Sequence, residues 1–317
     1  MVEKANQGVD VRLIYDEWGS TTRIKRGFKK RMEASGIKTV AFNPLKLRFV
    51  VALNYRTHRK MIIIDGNVGF TGGINIADEY ANIKKRFGHW HDAAVMLKGD
   101  AVFNMTSSFL ETWDFHHNQT TDLKAFQPTL KFSSDGIAIP FSDSPFSKSF
   151  LSKHLYTQMI FSAKKAIYLT TPYFIIDDDL INAFKIQAQS GVEIHLIVPG
   201  IPDKKFAYRV TKYYLKQLVT IPNIYIYSYS PGFVHSKIIY IDDMVAAVGT
   251  VNFDFRSFYL HFENNVWFYN TQALTSIKEF LNSTIEQSKV LKFEDLHTKN
   301  VFAKIYETLL ISLSFLL

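Results

Sequence analysis

Two periods of apolar residues run through this chain, and the switches between them mark out its elements. Gly8-Val-Asp-Val-Arg-Leu-Ile14 alternates apolar and charged positions with the period of two expected of a strand. Gly191-Val-Glu-Ile-His-Leu-Ile197 repeats that run almost residue for residue. Met61-Ile-Ile-Ile-Asp65-Gly66-Asn67 reads as a strand entering a tight turn, with Val68-Gly-Phe70 as its return. Ile238-Ile-Tyr-Ile-Asp242-Asp243 and Val245-Ala-Ala-Val248 repeat that hairpin. Elsewhere apolar residues recur at helical spacing, as in 100–113, where Phe103, Phe109, Leu110 and Trp113 share a face. Helices are also expected over 150–163 and 180–189, with a strand at 166–171 between them. Asp177-Asp-Asp179 supplies an N-terminal cap before Leu180.

The pattern as a whole is duplicated. His58-Arg-Lys60 matches His235-Ser-Lys237, and Thr71-Gly-Gly-Ile-Asn75 matches Val248-Gly-Thr-Val-Asn252, in the same order and at similar spacing. The expected fold is therefore α/β: two equivalent lobes, each a mixed sheet flanked by helices, around a pseudo-two-fold axis. Loop-forming segments at Asn118-Gln-Thr-Thr-Asp122 and Ser133-Ser-Asp-Gly136 place the division near 120–134, giving lobes at 1–125 and 135–317. The second copy carries a helix, a strand and another helix ahead of its Gly-Val strand, whereas only seven residues precede Gly8. By its own symmetry the first lobe is expected to be incomplete at its N-terminus, lacking an opening strand and most of a helix.

Composition narrows the chemistry. With 317 residues, 47% hydrophobic and 21% charged, the chain can bury two cores. A net charge of +8 directs attention to anionic partners, and both nucleic acid and an anionic membrane fit it. The absence of cysteine excludes disulfides, thiolate metal sites and a cysteine nucleophile, and leaves ten histidines available. No apolar run is long enough to span a bilayer, and the polar first eight residues do not have the pattern of a signal peptide. The apolar tail over 305–317 is expected to be a buried closing helix rather than an interfacial one. The basic run over 23–31 and Lys84-Lys-Arg86 suit either anionic headgroups or a solvated face. His89, His91, His116 and His117 match no metal-site spacing and are expected to be solvated or capping.

The repeated His-x-Lys-(x)4-Asp motif carries the chemistry. Side chains two apart on a strand share a face, so His58 projects with Lys60 and His235 with Lys237. Asp65 and Asp242, the last residues of the two motifs, are candidate catalytic groups, with a turn or strand-orienting role as the alternative. Asn75 and Asn252 each follow their histidine by 17 residues, after a bend of small residues that admits close approach to a ligand. Two histidines, two lysines and two asparagines meeting at an axis would form one pocket with two phosphate clamps.

These segments resemble the phospholipase D superfamily and, within it, the bacterial cardiolipin synthases. The resemblance is carried by His58-Arg-Lys60-Met-Ile-Ile-Ile-Asp65-Gly, Phe70-Thr-Gly-Gly-Ile-Asn75-Ile-Ala-Asp-Glu-Tyr80, Thr171-Pro-Tyr-Phe174, His235-Ser-Lys237, Gly249-Thr-Val-Asn252-Phe-Asp254-Phe-Arg256-Ser257 and Glu263-Asn264. It runs from about Gly8 to the C-terminus. It departs at the front, where the family has membrane-spanning helices, and is loose over 137–144. It implies transfer of a phosphatidyl group between two phosphatidylglycerols through a phosphohistidine, with His58 as nucleophile and His235 as acid and base. It further implies Asp92 and Glu263 as carboxylate partners of the histidines, no cofactor or metal, and work at the cytoplasmic face of the cell membrane on anionic phospholipids. Other phosphatidyl transfers, phospholipase D hydrolysis and nucleic-acid cleavage are the alternatives, the last being less expected.

Overall fold

The computed structural model describes residues 1–21, 23–44, 53–297 and 300–314. The second lobe is organised by Ala166–Thr170, which runs parallel to Glu193–Pro199 on one side and antiparallel to Ile238–Ile241 on the other. From there the sheet extends through Ile224–Tyr229 to Ser288–Val290 at one edge. In the other direction it passes through Val245–Gly249 to His261–Tyr269, which also pairs antiparallel with Ile137–Asp143. Helices Leu151–Ser162, Asp178–Gln189 and Lys205–Lys216 cover one face. Their Tyr156, Ile160, Leu180, Phe184, Val210 and Leu215 pack with Ile167, Leu169, Ile194, Leu196 and Ile239 in one buried cluster. Such strands are apolar on both faces, which is why they read as near-continuous hydrophobic runs. Asp177 caps its helix as expected, accepting from the Leu180 amide at 3.2 Å.

The first lobe repeats this order with a gap. Arg12–Asp16 pairs in parallel with Lys38–Phe42, as Glu193–Pro199 does with Ile224–Tyr229. Met61–Ile64, Val68–Gly72 and Ala94–Lys98 form a separate three-stranded antiparallel sheet. Among the described residues no strand stands between the two sheets, the place that Ala166–Thr170 holds in the second lobe. Every residue of Ile238–Ile241 is buried, whereas Ile62 and Ile64 are 58% and 49% exposed on an open edge. The same one-sided support explains why Arg12–Asp16 starts four residues after Gly8 and buries none of its side chains.

The lobes are joined by backbone pairing and by a shared core. Arg56–Thr57 of the first lobe runs parallel to the start of His261–Tyr269, and His89–His91 runs parallel to Gly232–Val234 of the second. Leu97, Val102 and Met105 from the first lobe pack with Ile238, Tyr240, Val248, Val266, Leu274 and Leu281 from the second. Val102–His117 and Ala273–Glu286, the equivalent helices, therefore contribute to one apolar layer.

Two expectations are corrected. Helix Val301–Ser312 touches the body through Leu310, and the adjacent Ser314 hydroxyl lies 3.3 Å from Tyr214 Oη, but Phe302, Ile305, Tyr306 and Leu309 face outward. A helix apolar on several sides can bury only the side that meets a neighbour; residues 315–317 of the expected tail lie outside the described ones. His91 is neither solvated nor capping. Its ring stacks between Tyr229 and Phe280, with centroids at 4.8 and 4.4 Å, and its Nε2 lies 2.8 Å from Thr284 Oγ1, because its strand is wedged between the lobes. His117, by contrast, bonds the Trp113 carbonyl at the end of its own helix.

Candidate active site

Each His-x-Lys segment is fixed by the opposite lobe. The His58 amide donates to the Phe262 carbonyl at 2.9 Å, and the His235 amide donates to the His91 carbonyl at 2.7 Å. These bonds extend the two parallel inter-lobe ladders and bring each imidazole against a carboxylate across the axis. His58 Nδ1 lies 2.9 and 3.0 Å from the two oxygens of Glu263. His235 Nδ1 lies 2.7 Å from Asp92 Oδ2. An ionised carboxylate only accepts, so Nδ1 carries the hydrogen in both rings and Nε2 keeps its lone pair for a substrate.

The carboxylates are held in turn. Glu263 is fully buried, receives the Thr250 hydroxyl, and has His261 Nδ1 at 3.4 Å. Asp92 accepts from the Ala93 amide at 2.9 Å and more distantly from Trp90 Nε1. Gly73 makes room for it, since a Cβ there would stand 2.1 Å from Asp92 Oδ1. The small residue is thus explained by the approach of the carboxylate rather than by a ligand. An aromatic ring two residues before each carboxylate covers the paired histidine: Trp90 lies 5.0 Å from His235 and His261 lies 5.5 Å from His58. Tyr80 stands edge-on to His235 at 5.3 Å.

Lys60 and Lys237 fold back over their own motifs. Lys60 Nζ donates to the His58 carbonyl at 2.6 Å, and Lys237 Nζ donates to the His235 carbonyl. Burial lowers Lys60 to about 8, with Glu263 and Asp92 opposing the shift. Lys237 falls further, to about 7, because burial is reinforced by the neighbouring charge of Lys60 while Asp92 opposes. The reach of the Lys60 charge to Lys237 and to His235 is a sign that the two motifs face one space. Burial also holds both imidazoles well below their usual range, against the pull of their carboxylates, so both are neutral at pH 7. Burial by itself would raise Glu263 and Asp92, yet the facing histidines outweigh it and keep both ionised.

The asparagines reach the same region by different routes. Asn75 Nδ2 donates to Tyr80 Oη at 2.7 Å, next to His235. Asn252 is buried, and its Nδ2 donates to Asp254 Oδ2 at 3.0 Å while its Oδ1 has no partner. The aspartates of the motifs are not brought in. Asp242 sits at its hairpin turn and accepts from the amides of Lys164, Lys165 and Ala166, at 2.6 to 2.8 Å, orienting the start of Ala166–Thr170. Asp65 is exposed at the equivalent turn, beside the edge where, among the described residues, the first lobe has no such strand. Each aspartate lies five positions beyond its lysine, roughly 16 Å along a strand at ~3.3 Å per residue.

The resemblance implies Asp92 and Glu263 as carboxylate partners but not which histidine each serves; that pairing, the covering rings and the place of Tyr80 escape motif reading, because no local spacing links residues 205 and 143 positions apart. The parallel between Trp90-His-Asp92 and His261-Phe-Glu263 was the available signal. His58, His261 and Glu263 also bring three ligand atoms within 4.8 Å and would be the residues to hold a cation, although the Lys60 ammonium, which acts on His58, opposes one. Two neutral imidazoles with open Nε2 atoms, two ammonium groups and two carboxamides can hold a phosphodiester, attack it, and protonate what leaves.

Comparisons with known proteins identify the family. A family described as "Cardiolipin synthase, PLD-like domain" matches residues 1–113 and 156–285. A cardiolipin synthase of Alkalihalophilus pseudofirmus is 36% identical over 97% of this chain and 61% of its own length. One from Halalkalibacterium halodurans is 36% identical, again over 97% and 61%. An uncharacterized protein of Streptococcus mutans serotype c is 37% identical over 96% of this chain and 66% of its own length. The chain thus spans about three fifths to two thirds of these relatives. In fold, it superposes with a TM-score of 0.75 on phosphatidylserine synthase of Haemophilus influenzae, over 100% of this chain and 85% of that one, at 15% identity. The duplicated lobes, their crossed histidine–carboxylate pairs and these matches together establish that the chain belongs to the cardiolipin synthase family of phospholipase D-like proteins.

Proposed function

We propose that this protein transfers a phosphatidyl group from one phosphatidylglycerol to another, giving cardiolipin and glycerol. The two lobes, 1–125 and 135–317, each supply one His-x-Lys and one asparagine. The observation that carries the reading is the pair of imidazoles, His235 buried and His58 half-buried, each with Nδ1 on a carboxylate from the other lobe. Oriented in this way, His58 Nε2 attacks phosphorus while the P–O bond to glycerol breaks. His235 donates its proton to the departing alkoxide, and Asp92 stabilises the protonated ring. In the free protein His235 is neutral, so it takes up its proton from solvent when the anionic phosphate binds, the added negative charge favouring the protonated ring, while His58 keeps its Nε2 lone pair for the attack. The hydroxyl of a second phosphatidylglycerol then gives its proton to His235, attacks phosphorus, and releases His58.

Lys60 and Lys237 supply the positive charge for the non-bridging oxygens, joined by Asn75 and Asn252. Loss of one such donor costs about 10²–10³ in rate. Glu263 and Asp92 position the rings and touch no substrate. Asp65 and Asp242 belong to the turns. The partners are phosphatidylglycerol, other anionic phospholipids and the membrane surface at the cytoplasmic face of the cell membrane. Among the described residues no helix is long and apolar enough to cross a membrane.

Incubation with labelled phosphatidylglycerol, with and without His58→Ala, tests the reading. Labelled cardiolipin and free glycerol are expected from the unaltered protein alone. Cleavage of a DNA oligonucleotide with no lipid product would replace this reading with a nuclease.

A further inference from the structure

Helix Val301–Ser312 presents an apolar side that no part of the described chain covers. Phe302, Ile305 and Leu309 recur at intervals of three and four, with Phe302 and Ile305 82% and 63% exposed, while Tyr306 beside them lies under Arg209. The helix rests on Lys205–Lys216, to which it is tied by Arg209 over the Tyr306 ring at 5.4 Å and by the contact between Ser314 and Tyr214. That neighbouring helix is basic on its outer side. Lys205, Arg209, Lys212 and Lys216 recur at helical spacing, Lys205 and Arg209 are exposed, and Phe206 and Tyr213 stand between them, also exposed. Lys205, Arg209 and Lys212 line a shallow groove with Ala303, so cationic and apolar groups lie on adjoining parts of one surface.

The same surface is connected to the active site through Tyr173. The segment leading into Lys205–Lys216 holds Asp203 and Lys204, and Tyr173 donates its hydroxyl to Asp203 at 2.6 Å under the Lys204 ammonium. The Thr171 hydroxyl accepts from the Phe253 amide, next to Asn252, and donates to the Tyr173 carbonyl, at 3.1 and 2.7 Å. A short run of side chains thus leads from the phosphate-binding region to the basic helix.

We propose that Val301–Ser312 and the basic side of Lys205–Lys216 form a seat for an anionic phospholipid bilayer, with the apolar residues entering the acyl boundary and the cations meeting headgroup phosphates. The occupant is identified by charge complementarity: an apolar stripe alone would suit any greasy partner, but one flanked by the exposed cations Lys205 and Arg209 suits an anionic interface. A bilayer seated here would present its lipids on the surface connected to the site, which deepens the proposed phosphatidyl transfer and rests on it.

Vesicle flotation tests the proposal. The full chain is mixed with vesicles of phosphatidylglycerol and phosphatidylcholine, or of phosphatidylcholine alone, and its turnover of the soluble diester bis(p-nitrophenyl) phosphate is measured in parallel. Binding is expected to favour the phosphatidylglycerol vesicles and to weaken with salt. Lys205→Gln with Arg209→Gln should weaken it by about 25-fold, at about fivefold per charge. Combined Phe302→Ser, Ile305→Ser and Leu309→Ser should abolish it while leaving soluble-diester turnover unchanged. Undiminished vesicle binding by these variants overturns the proposal, as does equal binding of the unaltered protein to both vesicle types. A dimer converted to monomer by the serine variant, with vesicle binding intact, would assign the face to a second copy and also overturn it. Absence of soluble-diester turnover in the unaltered protein would count against the catalytic reading, while the flotation result would still decide the surface.

Discussion

Glu263→Gln offers the sharpest view of how the crossed pairs divide the work. The carboxylate is fully buried and bonds His58 Nδ1 through both oxygens, so solvent screening does little to soften its loss. The glutamine keeps the shape but not the charge, and it no longer stabilises the positive ring that forms when His58 Nε2 bonds phosphorus. A charge-assisted hydrogen bond contributes about 1.5–3 kcal/mol. At about 1.4 kcal/mol per decade this slows the first step by roughly 10- to 150-fold. Asp92→Asn, at 2.7 Å from His235, should have a comparable effect for a different reason. It weakens protonation of the leaving group. Single-turnover kinetics on two phosphodiesters, one releasing an alkoxide and the other p-nitrophenolate, separate the two. p-Nitrophenolate leaves without a proton, so Asp92→Asn should be nearly silent in the first step with that substrate, whereas Glu263→Gln should be slow with both. Equal loss with both substrates for Asp92→Asn, or a Glu263→Gln rate within about twofold of the unaltered protein against that scale, would refute the division of roles.

The remaining predictions concern charge, space and the turns. Lys60 and Lys237 hold phosphate only when protonated, and burial brings them down to about 8 and about 7, so kcat/KM should fall as pH rises through 7 to 8. Bound phosphate favours the ammonium forms, so the alkaline limb of kcat should lie higher; a flat kcat/KM from pH 6 to 9 would contradict the shared pocket. Gly73→Ala would place a Cβ 2.1 Å from Asp92 Oδ1 and should reproduce most of the Asp92→Asn defect by displacing the carboxylate; unchanged single-turnover rates would show that the loop yields. Asp242→Ala removes the acceptor of three backbone amides and should destabilise the fold by about 1.5–3 kcal/mol in chemical denaturation. Asp65→Ala should change stability by no more than about 0.5 kcal/mol. Neither change should lower kcat by an order of magnitude, and a large loss on Asp65→Ala would restore that aspartate to the chemistry.

The duplication, the hairpins and the His-x-Lys pairs were legible because each is local. A period of two fixes the face of a strand, and a repeated string fixes its counterpart. Element ends shifted by a few residues, as with the strand that begins at Arg12 rather than Gly8. What remained hidden depends on contacts across the axis. The family resemblance implies Glu263 and Asp92 as carboxylate partners, but not that Glu263 serves His58, because that link is made by the parallel pairing of Arg56–Thr57 with His261–Tyr269. Asp65 and Asp242 look identical in sequence, yet only Asp242 has a strand start to orient. His91 reads as a loop histidine until its strand is wedged between the lobes. The tail reads as core because apolar periodicity reports which residues avoid water, not whether a neighbour is there to cover them.

Trapping the covalent intermediate tests the crossed histidine site most directly. Phosphatidylglycerol labelled at phosphorus is mixed with the protein, quenched within one turnover, and the label on the polypeptide is mapped by acid lability and peptide analysis. An acid-labile, alkali-stable label on His58 is expected, absent in His58→Ala and accumulating in His235→Ala when the leaving group needs no proton. A label that persists in His58→Ala, or a label on His235 in its place, would contradict the assignment of the two halves of the site.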